Sequence, residues 1–177
     1  MEILPGELLT TDFTTQIDFS KNNGIDTQKD IIKIAVCERH YNTGHIGLGF
    51  VKGLGLKKGA IASSVSHDSH NLIVAGTSEE EMAFVANTCI EMGGGLAVCS
   101  EGKVLAKLPL PIGGLMSNEE AAVVAKQNEE VRKAVHTLGA PDDIEPFMNL
   151  AFVSLPVIPH LKLTTRGLVN VDTQTLL

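Results

Sequence analysis

The chain has 177 residues, of which 44% are hydrophobic, so it is long enough and apolar enough to bury a sizeable core as one domain. Its net charge of −7 and its aromatic content of 4% argue against nucleic-acid binding, because phosphates are repelled and bases find few stacking partners. The longest apolar stretch, LAFVSLPVIP, is short and interrupted by proline, so no segment is expected to span a membrane.

The first half of the chain is predicted to be rich in strands. Residues 1–30 show no clear hydrophobic period and are expected to form an N-terminal arm or strand segment ahead of a domain over residues 31–177. IIKIAVCE, from Ile31, predicts a buried strand that leads into a turn in RHYNTGH, and IGLGFVKG predicts a strand punctuated by glycine. AIASSVS (60–66) is expected to be a strand of small residues, and LIVAG (72–76) a central buried strand.

Two helices are predicted from capping boxes followed by apolar residues at helical spacing. Ser78 and Glu81 predict the start of the first helix, which Gly93 ends. Ser117 and Glu120 predict the start of the second helix, which ends at the sequence Gly-Ala-Pro. The apolar faces comprise Met82, Val85, Ala86, Cys89 and Ile90 in the first helix, and Ala121, Val124, Ala125, Val131, Val135 and Leu138 in the second.

The remaining segments complete the prediction of the fold class. LAVCS-EG-KVLAKL predicts a β-hairpin with Glu101 and Gly102 at its tip, and residues 109–114 are expected to form a loop. NLAFVSLPVI and LKLTTRGLVNV are expected to be two further strands. About seven or eight strands and two main helices indicate an α+β fold of layered mixed β-sheets with two main amphipathic helices, and no (β/α)8 barrel.

The stretch HDSHN, from His67 to Asn71, places five strongly hydrogen-bonding side chains between two apolar runs. Such a connection between strands is held still by the packed scaffold, which suits a functional site. An aspartate beside a histidine can orient its tautomer and support proton transfer, and the His-x-x-His spacing could place two imidazoles on a metal. Asp, Ser and Asn also stabilise turns, so a functional cluster, a metal site and a structural turn all stay open.

A second polar segment, CERHYNTGH, follows the first buried strand. If the two strand ends point the same way, Arg39 and His40 could meet the HDSHN segment, and otherwise they lie in a solvated turn. Glu38, next to them, is expected to be an exposed carboxylate at the end of the strand.

Several familiar chemistries are disfavoured by the sequence. The glycine-rich stretches lack the G-x-x-x-x-G-K-[ST] pattern and are expected to be turns and close backbone approaches. H-E-x-x-H, G-x-S-x-G and the H-x-E with P-C-x-x-C of zinc deaminases are absent. Cys37, Cys89 and Cys99 form no C-x-x-C pair and are expected to pack as small hydrophobic residues. With no signal peptide in the acidic N-terminus, a reducing cytoplasm is the expected location.

Four segments of the chain carry a family resemblance: RHYNTGHIGLGFVKGLGLKKGAIA, GAIASSVSHDSHNLIVAG, EMGGGLAVCSEGKVLAKLPLPIGGLMS and PFMNLAFVSLPVIPHLKLTTRGLVNV. They resemble the C-terminal domain of bacterial and archaeal adenine deaminases of the amidohydrolase superfamily. The resemblance covers most of the chain, from Ile31 to Val171, and HDSHN is its most specific motif.

The resemblance implies hydrolytic deamination of adenine to hypoxanthine and ammonia, a reaction of purine salvage. In such enzymes a (β/α)8 barrel precedes this domain and holds divalent iron or manganese, which generates the attacking hydroxide. The barrel is absent from this chain, so no metal ligand or cofactor is expected in it, and an excised or separately encoded domain, inactive alone, is the expectation. Adenine and an amidohydrolase barrel domain, in cis or in trans, are the expected partners, and a homo-oligomer stays open.

On this resemblance, the HDSHN turn is expected to face the barrel mouth and to contact the polar edge of the base. His67, Asp68 and His70 are the candidate catalytic residues, and Arg39, His40, Ser69 and Asn71 are the candidate substrate-binding residues. The alternative is an autonomous module that uses the same fold to bind a small molecule or to assemble with other chains.

Overall fold

The computed structural model describes all 177 residues and contains one large sheet, one small sheet and three helices. The main sheet comprises β1 (Glu2–Ile3), β2 (Thr10–Thr11), β3 (Ile31–Cys37), β4 (Ile46–Lys52), β5 (Ala60–Ser63), β6 (Leu72–Gly76), β7 (Gly95–Ser100) and β8 (Lys103–Pro109). The small sheet comprises β9 (Leu161–Thr164), β10 (Gly167–Asn170) and β11 (Thr175–Leu176), and the helices are α1 (Glu79–Glu91), α2 (Ala121–Thr137) and α3 (Pro146–Val153).

The main sheet has the strand order β2-β1-β4-β3-β6-β5-β7-β8. Neighbouring strands of this sheet are antiparallel, except for β1 and β4, which are parallel. The α+β class with layered mixed sheets and no barrel is therefore confirmed. No helix of the chain has both the length and the apolar character that crossing a membrane requires.

Alternation along the strands sends side chains to two separate cores. Ile32, Ile34 and Val36 of β3 point into the larger core, which they share with apolar side chains of α2, α3 and β9. Ala35 points to the opposite face and joins a smaller core beneath α1. Since α1 packs mainly against β5, β6 and β7, the α1 side of β4 is left uncovered, and Leu48 is exposed there.

Glycine in β4 allows the small sheet to approach the large one. A Cβ atom on Gly47 would lie 1.8 Å from the carbonyl oxygen of Thr164, so no other residue fits there without moving β9. The small sheet thereby packs over the face that carries the larger core.

Strong local patterns predicted the central elements correctly. The strands expected in IIKIAVCE, IGLGFVKG and LIVAG and the β7–β8 hairpin are confirmed. The hydroxyl of Ser78 accepts the N–H of Glu81 at 3.2 Å, which confirms the cap of α1, and Gly93 follows the helix with a φ of 79°. Ile90, however, is exposed rather than part of the buried face of α1, because the helix does not cover β4.

Other expectations about the elements were wrong. NLAFVSLPVI is not a strand. Its first residues belong to helix α3, which begins at Pro146 and buries Leu150 and Val153 in the larger core. LKLTTRGLVNV is a hairpin rather than one strand, with its turn before Gly167. The strand expected over residues 60–66 ends at Ser63, whose hydroxyl bonds to the backbone of Val65.

Helix α2 also differs from its prediction. It begins at Ala121, because the hydroxyl of Ser117 accepts the N–H of Glu119 in a separate turn, and Glu120 provides no side-chain cap. The first turns of α2 are largely exposed, including Ala121 and Ala125, whereas Val131, Val135 and Leu138 of its last turns reach the larger core.

Candidate functional site

The two polar segments meet at one end of the main sheet. β3 is antiparallel to β6, and Cys37 at the end of β3 pairs with Leu72 at the start of β6. The residues after β3 and the residues before β6 therefore emerge side by side. Arg39 and His40 therefore contact the HDSHN segment, which is the first of the two alternatives that the sequence left open.

Arg39 holds three segments of this end together. Its Nε donates to the carbonyl oxygen of His70 at 2.5 Å, and its Nη2 donates to the carbonyl oxygen of Gly113 at 2.7 Å. Its backbone N–H lies 3.4 Å from Oδ1 of Asn71. Gly114 has a φ of 75°, and a Cβ atom there would lie only 2.7 Å from Nη2, so another residue would be strained and would displace the guanidinium.

His40 is positioned from both sides. Its Nε2 donates to the carbonyl oxygen of Ser69 at 2.7 Å. The carboxylate of Glu38 accepts the backbone N–H groups of His40, Tyr41 and Thr43 at 2.5, 2.8 and 3.0 Å, and also the Thr43 hydroxyl at 3.1 Å. These bonds, led by the Thr43 N–H, lower the pKa of Glu38 from 4.5 to about 2. Glu38 therefore organises the turn. The sequence had indicated only an exposed carboxylate at the end of the strand.

Helix α3 supports the other side of the HDSHN segment. The N–H of His67 donates to the carbonyl oxygen of Ala151 at 2.9 Å, and the His67 ring packs on Phe152 with centroids 4.8 Å apart. The buried hydroxyls of Ser66 and Ser154 are hydrogen-bonded to each other. The turn is thus fixed between α3 and Arg39.

We call Arg39, His40, Ser69, His70 and Asn71 the polar cluster. Within it, His70 adopts a φ of 49° and its N–H donates to the Ser66 carbonyl oxygen at 2.6 Å. His70 Nδ1 is buried and has no hydrogen-bond partner. Because an unpaired buried polar atom carries a desolvation cost, this nitrogen is a candidate contact for a ligand.

His67 and Asp68, two of the candidate catalytic residues, make no hydrogen bond to the polar cluster. Asp68 is 90% exposed, and its Oδ1 lies 3.9 Å from His67 Nδ1, which is too long for a hydrogen bond. The rings of His67 and His70 have centroids 6.2 Å apart. Neither His67 nor His70 is oriented by a carboxylate in this structure.

The family resemblance places iron or manganese in the barrel domain and not in this chain. No three of its His, Cys, Asp and Glu residues converge in a group that could hold a metal ion. The thiols offer no nucleophile either: burial raises the pKa of Cys89 and of Cys99 to about 11 and also raises that of Cys37.

Ser64 is a residue of this end whose role the sequence did not indicate. Its hydroxyl accepts the N–H of Gly95 at 2.7 Å and donates to the carbonyl oxygen of Gly114 at 2.6 Å. It therefore ties the start of β7 to the loop that Arg39 contacts. The only available signal was the small side chain of a serine within a run of buried residues.

Comparison with known proteins assigns the family. The chain matches the family described as adenine deaminase C-terminal domain over residues 7–175. The chain belongs to this family. It is 52% identical over 172 residues to the adenine deaminase of Brucella anthropi, covering 96% of this chain and 30% of that protein.

Other adenine deaminases show the same relation to this C-terminal domain. Adenine deaminase 2 of Carboxydothermus hydrogenoformans is 54% identical over 147 residues, which are 83% of this chain and 26% of that protein. The adenine deaminase of Desulfatibacillum aliphaticivorans is 47% identical over 175 residues, which are 97% of this chain and 30% of that protein. The chain thus spans less than a third of the length of these curated relatives.

The low pKa of Glu38 predicts how the His40 turn of the adenine deaminase C-terminal domain depends on pH. Because the pKa is depressed in the folded state, the stabilising contribution is fully present above about pH 5, shrinks as the pH falls through 4.5 and is lost near 2. The free energy of unfolding should therefore differ between the wild type and Glu38→Gln at pH 7, with the wild type more stable, and the difference should vanish near pH 2.

Urea unfolding between pH 2 and 7 measures this difference. Glu91→Gln, which changes an exposed glutamate at the end of α1, is the matched control and should show no such convergence. A difference for Glu38→Gln that stays constant across this range would refute the assigned role.

The geometry of Arg39 predicts that lysine cannot replace it. Lysine has no planar fork of donors, so it cannot serve the His70 and Gly113 carbonyl oxygens together. Arg39→Lys should lower the free energy of unfolding by about 2 kcal/mol and speed amide exchange at His70 and Asn71. Arg132→Lys, in the exposed ion pair with Glu145, should change it by less than about 0.5 kcal/mol. Equal effects of the two substitutions, measured by urea unfolding, would contradict this reading.

Proposed function

We propose that the chain is the C-terminal domain of an adenine-deaminating hydrolase, which converts adenine to hypoxanthine and ammonia in cytoplasmic purine salvage. The observation that carries the proposal is the convergence of the polar cluster on one end of the main sheet. Membership of a family whose longer relatives are named adenine deaminase supports the choice of substrate.

The polar cluster suits the recognition of a flat base with polar edges. The edge of a purine presents both donors and acceptors of hydrogen bonds. The NH₂ group of Asn71 makes no hydrogen bond within the chain, and His70 Nδ1 is unpaired. An amide NH₂ donates, and an imidazole nitrogen donates or accepts according to its tautomer, so the two groups together can match such an edge.

The rigidity of the polar cluster supports the same role. Nε of Arg39 and Nε2 of His40 donate to backbone carbonyl groups of the HDSHN turn, so the two residues position His70 and Asn71. A binding group that is already held in place loses little conformational freedom when the ligand arrives. In this proposal His70 and Asn71 contact the base, and Arg39 and His40 keep them in position.

The proposal places the activation of water outside this chain. Divalent iron or manganese belongs, in this proposal, to an amidohydrolase barrel domain supplied in cis or in trans, since the side chains of this chain form no ligand set. The polar cluster faces the mouth of that barrel and closes over the base, which excludes bulk water from the site. The chain alone is therefore inactive.

Substitution of His70 tests the role of the polar cluster. The assay uses a longer protein in which this chain replaces the equivalent 30% of the Brucella anthropi adenine deaminase. His70→Ala should lower kcat/KM for adenine by about 10- to 100-fold, the loss expected for one buried hydrogen bond to the substrate.

Two further variants sharpen this test. His136→Ala removes an imidazole that bonds to the Ala140 carbonyl oxygen at the end of α2, and it should leave kcat/KM unchanged. Asp68→Ala reports in the same assay whether the exposed carboxylate takes part. Unchanged kcat/KM for a normally folded His70→Ala protein would sink the proposed role of His70.

The isolated chain provides an independent test. Given adenine and Mn²⁺, it should release no ammonia above the background of a protein-free sample, because it lacks a metal ligand set. A sustained Mn²⁺-dependent rate that survives repurification would show that the chain is an enzyme by itself. Calorimetric titration with adenine addresses the autonomous binding module, since tight binding without turnover would favour that alternative.

A further inference from the structure

The segments that are bonded to the polar cluster and to the HDSHN turn carry exposed apolar side chains. Tyr41 is 85% exposed and Met116 is 60% exposed, and neither packs into a core of the chain. We name the whole set the apolar collar, and it consists of Tyr41, Ile112, Leu115, Met116 and Met148.

Three different elements contribute to the apolar collar, and each is bonded to the site. Tyr41 follows His40 in the turn that Glu38 organises, with the two rings 6.4 Å apart. Met148 lies one helical turn before Phe152, the side chain against which His67 packs, so both lie on the same side of α3.

The loop after β8 supplies the other collar residues. Ile112 and Met116 close this loop with a backbone bond of 3.1 Å from the Ile112 N–H to the Met116 carbonyl oxygen. Arg39 holds the same loop through the Gly113 carbonyl oxygen, and Ser64 holds it through that of Gly114. The collar residues are therefore presented on a fixed frame.

The apolar collar and the polar cluster together have the composition of an interface that can bind a polar ligand. Apolar side chains that meet a partner remove their own surface from water and exclude water from the polar groups beside them. The unpaired polar groups of the cluster then have only the enclosed ligand to bind.

We propose that the apolar collar is the docking surface for the part of the longer adenine deaminases that this chain does not contain, so that the ligand is enclosed between two bodies. The match covers only 30% of the Brucella anthropi protein, so a much larger body accompanies this domain there. A second copy of this chain is the weaker candidate, since two copies that each carry a charge of −7 repel one another. The identity of the enclosed ligand rests on the proposed function.

Hydrogen exchange tests the docking without any substitution. Amide exchange is compared between the isolated chain and the longer protein in which this chain is joined to the rest of the Brucella anthropi adenine deaminase. Residues 40–43, 112–116 and 146–150 should exchange at least ten-fold more slowly in the longer protein, because docking excludes water from them. The tip of the β7–β8 hairpin, at the opposite end of β8, should be unchanged.

A matched pair of substitutions extends the test. Ile112 and Leu105 are 47% and 46% exposed, but Leu105 lies near the hairpin tip, away from the apolar collar. Ile112→Ser should reduce the exchange protection of residues 40–43 and 146–150 in the longer protein, and Leu105→Ser should not. Protection that is absent from the collar, or that responds equally to both substitutions, would overturn the inference.

The outcomes separate this inference from the proposed function. A protected collar together with an unchanged kcat/KM for His70→Ala would leave the docking standing and refute the role of His70. An unprotected collar together with an impaired His70→Ala enzyme would do the reverse. Dimers of the isolated chain in sedimentation, with the collar protected as the concentration rises, would identify a second copy as the occupant and overturn the inference.

Discussion

The guanidinium of Arg39 is the constraint on which the geometry of this end of the sheet depends. It joins the turn after β3, the HDSHN turn and the loop after β8 through the carbonyl oxygens of His70 and Gly113. Because the donors of a guanidinium lie in one rigid plane, the two carbonyl groups cannot move independently. Three connections that would each sample many conformations are thereby reduced to a single arrangement, and the β3–β6 pairing places that arrangement at the edge of a well-packed core.

The groups that Arg39 assembles favour recognition over bond breaking. The cluster has an unpaired imidazole nitrogen and an amide NH₂ group without a partner, but it has no carboxylate bonded to an imidazole, no group of metal ligands and no ionised thiol. Such groups can select and orient a polar ligand, whereas hydrolysis also requires an activated water. For this reason we propose that this domain contacts the base, whereas the barrel domain activates the water.

The sequence was informative where a local pattern admits one structure. Alternation and β-branched residues predicted β3, the Ser78 box predicted the start of α1, and the Glu101–Gly102 pair predicted the hairpin tip. The segment PFMNLAFV has no period that separates a helix from a strand, and its opening proline was the only sign of helix α3.

The site was only partly predictable, because many of its contacts involve the backbone. The meeting of Arg39 with the HDSHN turn depended on the strands being antiparallel neighbours, which the sequence left open. Arg39 and His40 donate to backbone carbonyl oxygens, and every residue has one, so the sequence does not show which of them will be bound. The role of Glu38 likewise depends on three N–H groups that converge only after the turn has folded.

The uncovered side of β4 has a consequence for the solubility of the isolated chain. Leu48 on that face and Ile90 at its border expose apolar surface that attracts other copies, while the charge of −7 keeps the copies apart. The reach of that repulsion is the Debye length, about 10 Å in 0.1 M salt and about 3 Å in 1 M salt. In dilute buffer the repulsion extends beyond the range of hydrophobic contact, and in concentrated salt it does not. Raising the ionic strength is therefore expected to favour self-association of the isolated chain through this face.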